Sequence, residues 1–198
     1  MRFAAFLALL YTAHVVSYLV PAICLTKKEV FPDVYESTIG FANLLVYGPV
    51  CAFPLLWTLG PTKLWSGSHL ISALNILNAL LWSDILFYLV HRLFHTRHLY
   101  KFHSMHHQWN NVEPFAAFDA SIIEHCAANI LPFVLSALAC NLGQLEFIYF
   151  VSLVTSSSVL AHWSQSGPHA LHHRDTSVNF GAGFFLLDKL CGTFQRAN

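Results

Sequence analysis

Charge is what this 198-residue chain has least of. Only 10% of its residues are Asp, Glu, Lys or Arg, against roughly 25% in an ordinary soluble domain. With 56% hydrophobic residues, that balance argues against a free-standing soluble domain and for a single membrane domain, 1–198. The ten basic and ten acidic residues cancel, leaving no electrostatic footprint for nucleic acid or another large acidic partner. Cys24, Cys51, Cys126, Cys140 and Cys191 are odd in number, scattered and without a C-x-x-C pair. They make neither a disulfide framework nor a zinc ribbon, and the expectation is buried thiols. H-E-x-x-H, G-x-S-x-G and phosphate-cradling glycine loops are all missing, which removes the signatures of zinc proteases, serine hydrolases and P-loop enzymes. Gly181-Ala-Gly183 is too short for a dinucleotide fingerprint, so no nicotinamide is expected to bind here. There is also no internal repeat, low-complexity segment or long linker.

Long apolar runs are abundant. Phe3 to Leu25 matches the ~20 residues a helix needs to cross a bilayer. A cleaved secretory signal is the competing reading of these residues, but the run exceeds the roughly 7–15 residues of such a core. A polar connector, Lys27 to Thr38 with Pro32, leads to a second span, Ile39 to Leu59. Gly48-Pro49 and Pro54 predict a kink there, tolerated where neighbouring helices satisfy freed carbonyls. After Gly60-Pro61-Thr62-Lys63, a third span, Leu70 to Val90, runs straight into His91. The polar, aromatic stretch His91 to His125 is followed by two shorter apolar arms, Cys126 to Ala139 and Leu145 to Trp163, around a turn at Asn141-Leu-Gly143. A helical hairpin that enters the membrane and returns is expected. The fold class is all-α: a polytopic bundle of four to five apolar segments. Lys27-Lys28, Arg92, Arg97, Lys101, Arg174, Lys189 and Arg196 fall on one side of this arrangement, as the positive-inside rule requires of a cytosolic face.

Histidine is the conspicuous surplus. Ten of 13 histidines lie in two windows, His91 to His107 and His162 to His173. On a helix, residues four apart share a face about 5–6 Å apart at Cβ, so His91/His95, His103/His107 and His169/His173 are each spaced to face one ion. His106 and His172 are turned by about 100° from their neighbours, so each H-x-x-H-H offers a third imidazole to an adjacent ion. These eight, with His162 as a ninth, are enough for two ions and too many for one. His14 and His69 stand alone near span ends, and His98 and His125 belong to no repeated spacing; all four are read as bystanders. Imidazole suits zinc, copper, iron and nickel alike. An all-nitrogen two-metal site at a membrane surface, with no carboxylate base beside it, fits oxygen activation by iron better than hydrolysis. Asp84, two turns before His91, is a candidate partner for a ligand's second ring nitrogen, as are Asp119 and Glu124. Trp109, Phe115 and Phe118 are candidate substrate-lining side chains.

The order His91-x3-His95, His103-x2-His106-His107 and His169-x2-His172-His173 between apolar hairpins resembles the fatty acid hydroxylase/sterol desaturase superfamily of membrane di-iron enzymes. The surroundings resemble it too: Asp84 to His95 (DILFYLVHRLFH), Leu99-Tyr-Lys-x-x-His103, Asn179-Phe-Gly181 and Leu187-Asp188-Lys-Leu-Cys-Gly-Thr193. The resemblance covers about residues 70–196, with 1–69 as N-terminal spans and connectors. It implies transmembrane helices carrying a cytosolic histidine cap, with His91, His95, His103, His106, His107, His169, His172 and His173 as ligands to two non-haem irons. His162 matches a histidine common after the second hairpin. It further implies dioxygen as co-substrate, a sterol or fatty-acyl lipid as substrate, hydroxylation or desaturation as outcome, and the endoplasmic reticulum as location. Electrons would come from a separate b-type cytochrome and a nicotinamide-dependent reductase. Zinc is an expected substitute in a purified form. Ser121-Ile-Ile-Glu124 departs from the superfamily's His-Pro-x-Glu, retaining only the acid, and the end at Asn198 raises the expectation of a short cap. The alternative from another class is a non-catalytic metal-binding or transport protein of the membrane.

Overall fold

The structure, a computed structural model, describes residues 2–26 and 38–196. The expected connector at Lys27 to Thr38 lies, but for its last residue, outside the described residues, and with it the basic flank Lys27-Lys28. Among the described residues the elements are all helical, and five helices are long and apolar enough to cross a membrane. They are α1 (Phe3–Leu25), α2 (Thr38–Leu59), α3 (His69–Phe94), α5 (Ile122–Ala139) and α6 (Gln144–Ala161). Short helices α4 (Tyr100–His103), α7 (Pro168–Arg174) and α8 (Leu186–Cys191) complete the polar end.

The prolines act differently from a simple kink. In α2 a π-helical segment, Asn43–Tyr47, precedes Gly48-Pro49. In α5 a second, His125–Ile130, precedes Leu131-Pro132. A proline ring has no N–H and crowds the carbonyl four residues back, and a wider turn just before it relieves that crowding. Asn43 in the first π segment donates its side-chain amide to the carbonyls of Phe118 (2.9 Å) and Ala120 (2.8 Å). This anchors the polar end onto α2 and satisfies a polar group within a span.

The first hairpin arm is longer than its apolar run, and the second keeps close to the length of its own. Ser121 caps α5, its hydroxyl accepting from the Glu124 N–H at 3.2 Å, so the helix starts four residues before Cys126 and each arm reaches 18 residues. The reversal at Asn141 uses a left-handed backbone, φ 54°. At Gly143 an added Cβ would lie 2.7 Å from the Trp65 Cα, so only glycine lets the 60–66 loop lie against the hairpin tip. Glu146 accepts there from the N–H of Gly143 (2.5 Å) and the hydroxyl of Ser66 (2.6 Å).

Packing is not sequential: α6 lies along α1 and α5 along α3. Phe6, Leu10, Leu56, Ile130, Phe147 and Phe150 form the larger apolar core, and Tyr18, Leu44, Phe115, Phe118 and Val159 a second one nearer the histidines. Trp57 and Leu70, 71% and 70% exposed, face outward as a span surface in lipid would. The same geometry corrects the cysteine expectation. All five are free thiols, but none is buried: Cys24 and Cys191 are exposed and the other three half-buried, since an apolar thiol in a span gains nothing by turning inward.

Candidate metal centre

The span ends deliver the imidazoles. His91 occupies the last turn of α3 and His95 its C-cap, one turn on. α4 closes at His103, and a separate 3-10 turn, His106–Gln108, presents His106 and His107. His162 caps the end of α6. In α7, Gly167 is the N-cap and Pro168 opens the first turn, a position where its missing N–H costs nothing. His169, His172 and His173 follow on that helix. His103 and His107 therefore do not share one helix as their spacing implied, yet their Nε2 atoms stand 2.9 Å apart.

Nine side chains divide into two groups. His91, His95, His103, His107 and His172 converge in one, and His106, His162, His169 and His173 in the other, with candidate ligand atoms within 4.8 Å of one another in each. In the first, Nε2 of His103 lies 3.0 Å from that of His91 and 2.9 Å from that of His95, and His95 lies 3.1 Å from His172. In the second, Nε2 of His162 is 3.3 Å from that of His106 and 3.0 Å from that of His169, and His169 is 3.1 Å from His173. The groups adjoin, the His107 and His173 rings being 4.7 Å apart. Each H-x-x-H-H is split: His106 leaves its own motif for the second group and His172 leaves its own for the first.

The opposite ring nitrogens fix what these atoms are. Nδ1 of His91 faces the Phe180 carbonyl (2.8 Å), that of His162 the Ser158 carbonyl (2.8 Å), that of His172 the Val178 carbonyl (2.7 Å) and that of His106 the Asp119 carbonyl (3.2 Å). A carbonyl only accepts, so each Nδ1 carries the proton and each Nε2 is a bare lone pair. His103 Nδ1 donates likewise to Glu124 Oε1 at 2.7 Å, both residues being 2% exposed. Lone pairs 3 Å apart repel unless a cation lies between them, so this donor set fits metal ions. Burial, then neighbouring imidazoles, reinforces the neutral form: His95 is pushed down to about 4 and His107 to about 2. Burial takes His106 down to about 4, and His162 and His172 to about 3. His103, His169 and His173 are held far below the ordinary imidazole value for the same reasons.

The expected carboxylate partners have distinct fates. Glu124 contacts a cluster histidine directly. Asp119 meets His106 through its main-chain carbonyl, while its carboxylate accepts from the Trp109 indole N–H at 2.6 Å. Asp84 departs from its expected role: instead of a ring nitrogen it gathers five consecutive backbone N–H groups, Ala182 to Leu186, at 3.0–3.3 Å. Sequence reasoning missed Asp188. Fully buried, it accepts from the N–H groups of Phe180 (2.9 Å) and Gly181 (2.7 Å) and from the Thr193 hydroxyl (2.7 Å). That fixes the strap whose Phe180 carbonyl holds His91; the available signal was its place in the Leu187–Thr193 segment that resembles the family. His14, His69, His98 and His125 join neither group.

Below the imidazoles lies a cavity of about 700 Å³ reaching down between α1, α2, α3, α5 and α6, its roof formed by His91, His103, His106, His162 and His169. Phe118 lines it. Trp109 and Phe115 do not: Trp109 is spent on Asp119, and Phe115 packs against Tyr18 and Phe41.

Comparison with known proteins places this arrangement. The chain is 28% identical over 127 residues to a Delta(7)-sterol 5(6)-desaturase of Gibberella zeae, covering 59% of this chain and 36% of that protein. It is 29% identical over 145 residues to the lathosterol oxidase of Rattus norvegicus (64% and 46%), and 29% identical over 146 residues to the fatty acid hydroxylase ahd1 of Mycosarcoma maydis (69% and 37%). The chain thus spans between about a third and a half of the length of these relatives. No solved structure matches it. The fatty acid hydroxylase family model matches residues 76–193, a stretch holding all nine converged histidines, Glu124 and Asp188, and on that match the chain belongs to the fatty acid hydroxylase family.

Proposed function

We propose that the chain is an integral membrane oxidoreductase that uses dioxygen and two non-haem irons to hydroxylate or desaturate a lipid, a sterol or a fatty-acyl lipid. The carrying observation is the division of nine imidazoles into adjoining groups of five and four over a cavity built from the spans themselves. The relatives' names, sterol desaturase, lathosterol oxidase and fatty acid hydroxylase, support the reaction class and leave both lipid scaffolds in play.

The ligands to one ion are His91, His95, His103, His107 and His172, and to the other His106, His162, His169 and His173. Bound iron supplies the activation of dioxygen needed to attack an unreactive C–H bond. The chain's own residues hold and orient. Glu124 and the carbonyls of Phe180, Asp119, Ser158 and Val178 keep Nδ1 of His103, His91, His106, His162 and His172 protonated and those five rings fixed, and such outer partners typically matter to metal affinity nearly as much as the ligands do. The apolar cavity admits a lipid from the bilayer and excludes bulk water from the reacting carbon. Residues 70–196 form the catalytic region, and α1 and α2 complete its walls. The histidine end faces the cytosol of the endoplasmic reticulum, where a separate b-type cytochrome and a nicotinamide-dependent reductase deliver electrons. Its exposed basic side chains, Arg92, Arg97, Lys101 and Arg174, follow the positive-inside tendency.

The test is metal analysis of the purified chain, then incubation with a sterol and a fatty-acyl lipid under dioxygen and a reductant. About two irons per chain and a product heavier by one oxygen or lighter by two hydrogens are expected. Labile zinc with no oxygen-dependent product from either lipid refutes the reading.

A further inference from the structure

The cavity wall is mostly apolar, and one of its polar patches inside the spans carries unpartnered atoms. His14, expected near a span end, stands instead at the middle of α1 and lines the cavity together with Asn129 and Thr155. His14 Nδ1 is 2.9 Å from the Thr155 hydroxyl, and its ring stacks on Phe118 with centroids 5.5 Å apart. Its Nε2 is buried without a hydrogen-bond partner, and so is the Asn129 side-chain nitrogen. Burying two polar groups unsatisfied is destabilising, and an ionisable side chain within a span is more often functional than incidental.

The local fold explains how Asn129 comes to be there. It lies in the π-helical segment His125–Ile130 of α5, where residues five apart share a face, so Asn129 is brought onto the face of Glu124, which also lines the cavity. Thr155 precedes His162 by seven residues on one helix, a rise of about 10 Å. Thr155 and the His14 paired with it therefore sit about that far below the metal centre, partway down a cavity that continues past them to Val151 and Phe147.

We propose that His14 and Asn129 form a subsite for one hydroxyl group of the lipid substrate, about 10 Å from the carbon presented to the metal centre. The inference deepens the lipid-oxidising reading and rests on it only for the identity of that carbon. The chemistry selects a hydroxyl. Among the described residues no lysine or arginine lines the cavity, so a free carboxylate or phosphate there would be buried without a counter-charge. A carbonyl only accepts, whereas Nε2 of His14 donates or accepts according to how Nδ1 meets Thr155. A hydroxyl serves either tautomer and also accepts from the Asn129 amide.

The hydroxyl has two possible sources, a sterol or a long-chain alcohol, and the experiment separates them. The purified full chain in lipid nanodiscs, without dioxygen, is equilibrated with radiolabelled cholestanol against cholestane and with hexadecanol against hexadecane; occupancy is counted above empty nanodiscs. On the scaffold that fits, the hydroxylated member is expected to bind ~10-fold better than its hydrocarbon. His14→Phe, which keeps the stack on Phe118, and Asn129→Leu are expected to reduce that preference to about 2-fold or less while leaving hydrocarbon binding and metal content unchanged; His14→Gln retains most of it. Equal binding of alcohol and hydrocarbon by the unaltered chain on both scaffolds overturns the subsite, as does an undiminished preference in both apolar variants. Failure of the catalytic reading looks different: no oxidised product under dioxygen, with the binding preference intact.

Discussion

Replacing Glu124 tests the metal centre most sharply, because among the described residues its carboxylate is the one that pairs with a ring of the converged set, 2.7 Å from His103 Nδ1. Glu124→Leu keeps roughly the volume but leaves the His103 N–H buried without an acceptor. A hydrogen bond to a charged group contributes about 1.5–3 kcal/mol, and removing the partner of a ligating histidine typically lowers metal affinity 10–100-fold, about 1.4–2.7 kcal/mol. The two scales agree, so loss of the bond should appear mainly as loss of metal. The unpaired His103 N–H also costs the fold about 1–3 kcal/mol, so metal release is measured under conditions where thermal melting shows the variant still folded. His103 belongs to the five-imidazole group alone, so the loss should fall on one of two ions. Chelator competition on the metal-loaded chain should become biphasic, one ion released at 10–100-fold lower chelator and the other unmoved. Glu124→Gln keeps an acceptor without the charge and should lose roughly tenfold or less. A Glu124→Leu chain that holds both ions as tightly as the unaltered one would refute the argument. His98→Ala is the control, its side chain exposed and outside both groups.

The remaining expectations use the same geometry. Asp188→Ala frees the strap whose Phe180 carbonyl holds His91, and metal counting should show one ion weakened while the group containing His162 keeps its own; equal loss from both would count against the strap. His162→Ala should do the converse, cutting the four-imidazole group to three and leaving about one tight ion per chain by elemental analysis. Gly181→Ala would place a Cβ 2.9 Å from Asp188 Oδ2 and should lower stability by roughly 1–3 kcal/mol, read as a lower thermal midpoint in detergent. For the metal-free chain the acid dependence has a fixed sign. His106, His162 and His172 are pushed down to about 3 or 4 when folded, against about 6.5 unfolded, so between those values the unfolded chain binds more protons. Stability is full above pH 6.5 and falls as pH drops toward 4, by up to about 1.4 kcal/mol per unit for each histidine; a thermal midpoint flat from pH 7 to 5 would contradict this.

Much of this molecule was legible in order and spacing alone. Apolar runs near 20 residues admit little else than spans, because lipid leaves no partner for backbone polar groups outside a helix. Histidines at repeated offsets marked out the rings, so the nine that converge could be named without tertiary information. What spacing could not encode is assignment across the fold. His172 joins His91 and His95, and His106 joins His162 and His169, because the end of α3 and the end of α6 are brought side by side by an α5–α6 hairpin packed between α1 and α3. Nor could sequence separate the acids. Asp84, Asp119, Glu124 and Asp188 are alike as carboxylates, and only their neighbours decide that one gathers an amide strap, one acts through its carbonyl, one holds a ring and one pins the loop behind His91. The cavity and its polar patch are likewise tertiary, since His14 and Asn129 lie 115 positions apart in the chain and meet one cavity only once α1 packs on α6 and a π turn swings Asn129 inward. Residue type and spacing singled out the rings that converge; the packing of non-adjacent helices chose their partners.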